Sequence, residues 1–168
     1  VFMLGAVIVA GHGLLAGINA ADLGRWGLAW QLAMEPGAVQ SAPGAIGAGA
    51  VGGPILYPAI PWFGIMCLGY GLGSLFTKPT AERRQAILFM GASAIALFIG
   101  LRAFNTFGDP APWAVQKDGL LTALSFINIS KYPPSLLYVL LTLGVALLLS
   151  LLLERLSGLP KRVLLAFG

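Results

Sequence analysis

Very little of this sequence is charged. Asp, Glu, Lys and Arg together make up 10% of its 168 residues, against about 25% in an ordinary soluble domain. So few charges cannot cover a globule of this size with polar groups, which excludes a water-soluble domain and leaves hydrocarbon as the fitting solvent. Cysteine is nearly absent. The single Cys67 excludes an intramolecular disulfide and cannot hold a metal alone. Lying in an apolar run, it reads as a small buried hydrophobe. No nucleotide-binding loop, paired-carboxylate spacing, metal-ligand cluster or nucleophile elbow occurs. The formal net charge is +4, yet the basic residues never cluster with aromatics in a polar stretch, which excludes nucleic acid as a partner.

What is present is apolar. Hydrophobic residues make up 58% of the chain and the mean hydropathy is +0.87. Four runs are long enough to cross a hydrocarbon core of about 30 Å, at residues 1–18, 55–76, 86–104 and 136–153. The expected fold class is therefore all-α, a polytopic transmembrane helix bundle with about four spans and the bilayer as its first partner. A second copy of the chain is a further candidate partner. The chain opens at Val1 inside an apolar run, without an initiator Met or a charged leader. It reads as a piece of a longer protein.

The connections differ in kind. Residues 19–54 form a long outer loop rich in Gly and Ala and broken by Pro36, Pro43 and Pro54. Within it, Asp22 to Met34 predicts a short interfacial helix, with Trp26 and Trp30 four apart on one face. Residues 37–53 read as flexible loop. Residues 77–85 form a short, basic inner loop. Residues 105–135 form a second long outer loop with two Pro-rich turns, GDPAPW and KYPPS. The apolar stretch from Leu120 to Ile129 inside it is too short to span and predicts a re-entrant or interfacial segment.

Lys and Arg set the orientation. Lys78, Arg83 and Arg84 lie in the short loop, and Arg155, Lys161 and Arg162 follow the fourth run. With four crossings both groups fall on one side, and the positive-inside rule makes that side cytoplasmic. Trp26, Trp30, Trp62 and Trp113 then fall at the outer boundary, as an aromatic belt does. Gly13 with Gly17 and Gly69 with Gly73 are small-xxx-small pairs that predict close helix approach. Pro58 and Pro61 predict a kink or a cap at the start of the second span.

Polar residues gather at the outer boundary. His12, inside the first run, is costly unless paired or facing a polar cavity. It reads either as a proton acceptor for a substrate or as a helix–helix hydrogen bond. Arg102, Asn105 and Asp109 cluster where the third run ends. They read as an anion or sugar site, or as a snorkelling Arg paired with Asp109. Asn128, Lys131, Tyr132 and Ser135 surround the double-Pro turn, whose rigidity suits a binding site and an anchored helix start equally. Tyr57 and Trp62 read as belt residues. Glu82, Arg83 and Arg84 read as a solvated inner turn, with contact to a coenzyme phosphate as the other reading.

Four blocks carry a resemblance: ILYPAIPWFGIMCLGYGLGSLF, LRAFNTFGDPAPW, LSFINISKYPPSLLYVLLTLG and LLLER. Their order and spacing over residues 55–155 are similar to bacterial members of the heparan-alpha-glucosaminide N-acetyltransferase catalytic-domain family, formerly a domain of unknown function. The resemblance implies a membrane acyltransferase of the bacterial cytoplasmic membrane. Its donor is acetyl-CoA or another acyl-CoA, its acceptor an extracytoplasmic sugar or glycan such as an amino sugar, and it needs no metal. The resemblance also places the reacting His in an N-terminal half that precedes this stretch, so the role is not carried onto His12. This chain would supply the cavity wall. The competing readings are a transporter, which more often shows a charge in mid-membrane or paired broken helices, and a structural membrane subunit.

Overall fold

In the computed structural model, which describes residues 1–38 and 54–167, the chain is all-α apart from one two-residue pairing. Its helices are α1 (Phe2–Gly11), α2 (Gly27–Met34), α3 (Ala59–Gly73), α4 (Thr80–Phe104), α5 (Gly119–Ile127), α6 (Leu136–Leu153) and α7 (Gly158–Phe167). Gly37–Ala38 pairs antiparallel with Pro54–Ile55 and closes the neck of the long loop. Most of the segment read as flexible, 39–53, lies outside the described residues.

Among the described residues, three helices are long and apolar enough to cross a membrane. These are α3 with the 3-10 turn that extends it to Thr77, α4, and α6. The fourth run (136–153) becomes α6 residue for residue, because Ser135 caps it by accepting a hydrogen bond from the Tyr138 amide. In the second run, Pro58 is the N-cap of α3 and Pro61 lies in its first turn, so both prolines start the helix and neither kinks it. The third run begins six residues earlier than its apolar part. Pro79 is the N-cap, and Glu82, Arg83, Arg84 and Gln85 form the first turns of α4. At 25 residues, α4 is about 37 Å long, so its first turns extend beyond the core. The inner connection shrinks to Lys78 and Pro79.

The first run departs most from expectation. Helical geometry tightens after Gly11 into a 3-10 turn over His12–Leu15. The chain then bends by 109° into the 3-10 segment Ala20–Trp26 and α2. The bent pair is one broken span or a re-entrant loop, which makes the total three or four. Gly24, with φ +51, breaks the expected Asp22–Met34 helix in two.

Two helix pairs carry the packing, α1 with α3 and α4 with α6. Both depend on glycine. A Cβ on Gly5 would lie 2.6 Å from the Gly64 carbonyl oxygen and 2.7 Å from the Leu68 nitrogen, with Cys67, itself buried, alongside. A Cβ on Gly91 would meet the Leu148 side chain at 2.9 Å, and one on Gly144 would meet Ile95 at 2.9 Å. The expected pairs, Gly13/Gly17 and Gly69/Gly73, face open space. Spacing marks which residues share a helix face, but not which face meets a neighbour. At the basic end, Glu154 joins the second pair by accepting from Arg83 Nη2 at 3.0 Å and Arg84 Nε at 2.8 Å. The exposed surface is rich in large apolar side chains such as Met66, Phe89 and Leu152, as a lipid-facing surface is.

Two outcomes follow. Gly5→Ala forces a clash with backbone that cannot step aside, and is expected to cost about 1–3 kcal/mol. Gly13→Ala is expected to stay within about 0.5 kcal/mol, both read by unfolding in detergent. Separately, Arg84 and then Arg83 hold the Glu154 carboxyl below its ordinary value of 4.5. The stability this adds is present above that value and is lost as pH falls through the lower folded value. A denaturation series from pH 7 to pH 3 is expected to show an acid-side loss that Glu154→Gln abolishes.

Candidate functional site

At the end of the bundle opposite Glu154 lies a cavity of about 300 Å³. Its wall comes from four stretches: the end of α1 with its 3-10 turn, the end of α2, residues 106–110, and the start of α6. Among its lining residues are His12, Trp30, Glu35, Phe107, Asp109 and Ser135, and no Lys or Arg is among them.

His12 is buried, with 8% of its surface exposed. Its Nδ1 lies 3.1 Å from both the Ile8 and the Val9 carbonyl oxygens. Carbonyl oxygens only accept, so Nδ1 carries the proton. In the neutral ring Nε2 then keeps its lone pair. No residue among those described bonds to Nε2. The ring thus turns back over its own helix at the point where 3-10 geometry begins, and it stays on the cavity wall.

Opposite stands Glu35, which the reading of the sequence passed over. Its Oε1 accepts from the Ala20 amide at 3.0 Å and from Trp30 Nε1 at 3.1 Å. Trp30 Nε1 also reaches the Ile18 carbonyl at 3.0 Å. These bonds pin the bend between α1 and α2, so Trp30, expected in the aromatic belt, also serves as an internal pin. A lone acid following an apolar stretch, five residues after a Trp, was the available signal.

The outer loop 105–135 is organised around Arg102. Only 2% of its surface is exposed. Its guanidinium donates to four backbone carbonyls, from Nε to Phe126 at 2.9 Å, from Nη1 to Ala111 at 2.7 Å, and from Nη2 to Ser125 at 3.2 Å and Asn128 at 2.6 Å. Asp109 lies 3.9 Å from Nη1 and supplies the balancing charge. A buried charge persists only when it is paired and hydrogen-bonded, and here four of the five guanidinium N–H groups reach carbonyls while Nη1 also faces Asp109. With 2% of its surface exposed, it does not snorkel.

Asn105 and Asp109 are engaged in the same way. Asn105 ends α4 in the left-handed conformation, with φ +53. Its side-chain amide pairs with the Trp113 backbone, donating to the carbonyl at 2.8 Å and accepting from the amide at 3.0 Å. Trp113 returns a bond from Nε1 to the Arg102 carbonyl at 2.8 Å. Asp109 accepts from the Ala111 amide, the Ser130 amide and the Ser130 hydroxyl. Gly108, at φ +97, lets its carbonyl take the Leu137 amide at 3.0 Å, which ties this loop to the start of α6.

Of the eight candidates, then, His12, Asp109 and Ser135 line the cavity, while Arg102 and Asn105 stand behind it as loop supports. Asn128 contributes its carbonyl to Arg102 and leaves its side chain exposed. Lys131 and Tyr132 lie elsewhere, on an aromatic cluster with Tyr57 and Trp62. Tyr57 and Tyr132 meet edge-on at 5.6 Å, and Lys131 sits 5.0 Å over the Tyr132 ring. Hydrogen bonds from Tyr57 and Lys131 push the Tyr132 hydroxyl below its usual value of 10.0.

No family model, no curated protein and no solved structure matches this chain.

Arg102→Lys cannot rebuild a planar fork that reaches four carbonyls. It is expected to destabilise the protein by about 3–5 kcal/mol, the range for breaking a buried charge network. Asn128→Ala, which leaves the carbonyl in place, is expected to stay within about 0.5 kcal/mol. Equilibrium unfolding of the two variants checks both values.

Proposed function

We propose that this chain forms part of a membrane acyltransferase, moving an acetyl or related group from acyl-CoA to an extracytoplasmic amino sugar. The observation that carries the reading is the cavity at His12. Its volume of about 300 Å³ falls at the lower end of the range for small-molecule sites, about 300–1,000 Å³. Trp30 and Phe107 give it apolar wall for a sugar face. His12 Nε2 accepts a hydrogen bond from an amine or hydroxyl. The carboxylate of Glu35, with no Lys or Arg among the lining residues, favours a neutral or cationic acceptor over an anion, whereas the Asp109 charge is already balanced by Arg102. The block resemblance over residues 55–155 supports the acyl-CoA donor, and in this reading the reacting His is not His12.

In this reading the chain sits in the bacterial cytoplasmic membrane. Its basic end, at Lys78, Arg83, Arg84 and Arg155, faces the cytoplasm, where acyl-CoA is found. The cavity faces outward. One observation favours a non-catalytic alternative, a transporter or structural membrane component. The charged residues of the outer mouth, Arg102 and Asp109, are consumed by their own loop.

The test uses the full-length protein in proteoliposomes, with acetyl-CoA on the basic side and glucosamine on the other. The expected result is N-acetylglucosamine formed only when both are present. His12→Ala is expected to raise the KM for the sugar about tenfold, the loss of one hydrogen bond to a buried partner, while the KM for acetyl-CoA stays unchanged. Sugar uptake without acetylation would favour the transporter instead. No acyl-CoA-dependent product from any sugar amine would overturn the proposal.

A further inference from the structure

The charges are sorted by end. Lys78, Arg83, Arg84, Arg155, Lys161 and Arg162 stand at the Glu154 end against only Glu82 and Glu154. At the cavity end, Arg25, Arg102, Lys117 and Lys131 are matched by Asp22, Glu35, Asp109 and Asp118. The whole net charge of +4 therefore lies at the Glu154 end. Helix α7 follows there. After α6 the chain turns at Gly158, whose φ of +67 re-aims it. No other helix among the described residues packs along α7.

The two sides of α7 differ. Leu159 and Val163 lie one turn apart on one side, Lys161 projects on the opposite side, and Arg162 sits at the flank beside Leu159, with exposed Leu165 between the two cations. Leu159 is 73% exposed and Val163 48%, so nothing among the described residues covers their apolar side. No acid lies between Arg155 and Phe167. A soluble phosphate would account for the cations but not for the bare apolar side. A lipid surface accounts for both, because acyl chains take Leu159 and Val163 while headgroup phosphates take Lys161 and Arg162.

We infer that α7 is a surface-lying anchor that docks on anionic phospholipid, with Leu159 and Val163 dipping toward the acyl chains and Arg155, Lys161 and Arg162 binding headgroup phosphates. The docking is independent of any acyl transfer. It holds α7 flat beside the spans and fixes the depth of the Glu154 end.

Amide hydrogen exchange of residues 158–167 tests this, with the full-length protein in nanodiscs of phosphatidylcholine alone or with about one third phosphatidylglycerol. The expected result is slower exchange in the anionic discs, by at least fivefold. Each cation near the surface should contribute about a fivefold factor. The Lys161→Glu/Arg162→Glu variant and 0.5 M salt are both expected to remove the protection, with exchange in α4 and α6 unchanged. Equal exchange of 158–167 in the two lipids would overturn the inference. So would equal protection from soluble pyrophosphate in phosphatidylcholine discs, which would assign the cations to a free phosphate.

Discussion

Arg102 stands at the last turn of α4 with its charge turned into protein, and the outer half of the molecule is built on how that charge is satisfied. Four carbonyls from two parts of one loop, Ala111 and the stretch 125–128, converge on it, and Asp109 balances it. Each carbonyl would otherwise need water or another donor at the edge of a bilayer, where an unmet polar group is costly. The guanidinium thus replaces solvent for a segment that is mostly not regular secondary structure. Residues 106–110 and 133–136, which form half of the cavity wall, take their positions from this arrangement through Asp109, Ser130 and the Gly108–Leu137 bond.

The other half of the wall comes from a helix that stops early. His12 lies where α1 tightens, and its ring bonds back to Ile8 and Val9. Trp30 and Glu35 close the bend from the other side. The closest helix approaches are the glycine-mediated α1–α3 and α4–α6 crossings, and the core around Val9, Leu68 and Val139 reaches the cavity wall at Val9 and Leu136. The helices are in close contact where they cross at glycine, and the bundle opens where its two loops meet. Such a division suits a site whose polar groups are held by scaffold contacts that do not themselves face the ligand.

Much of the fold was legible in the sequence because hydrocarbon imposes a simple rule on length and polarity. The run at 136–153 was read to the residue, since nothing charged interrupts it. The rule failed where helix and apolar run part company. Glu82, Arg83 and Arg84 look like a loop, yet α4 continues through them past the core. The run at 1–18 looks like one span, yet the glycines flanking His12 let the helix break. The site was legible only in part. His12 stands out as a lone imidazole in an apolar run. Of the partners of Arg102, Asp109 was legible, but the other four were not, because they are main-chain oxygens whose residue identities carry no signal. Glu35 carried only a weak signal, because its role depends on a 109° bend.

Nitrogen-15 spectroscopy of the imidazole is the most direct test of this account. His12 is the single His of this chain, so its two ring nitrogens are assigned without ambiguity. The account predicts a proton on Nδ1, a bare Nε2 in the neutral ring, and a shift of the Nε2 resonance when glucosamine is added. A ring protonated on Nε2 with Nδ1 bare would contradict it, because the carbonyls of Ile8 and Val9 would then face a second acceptor and the cavity would hold no base.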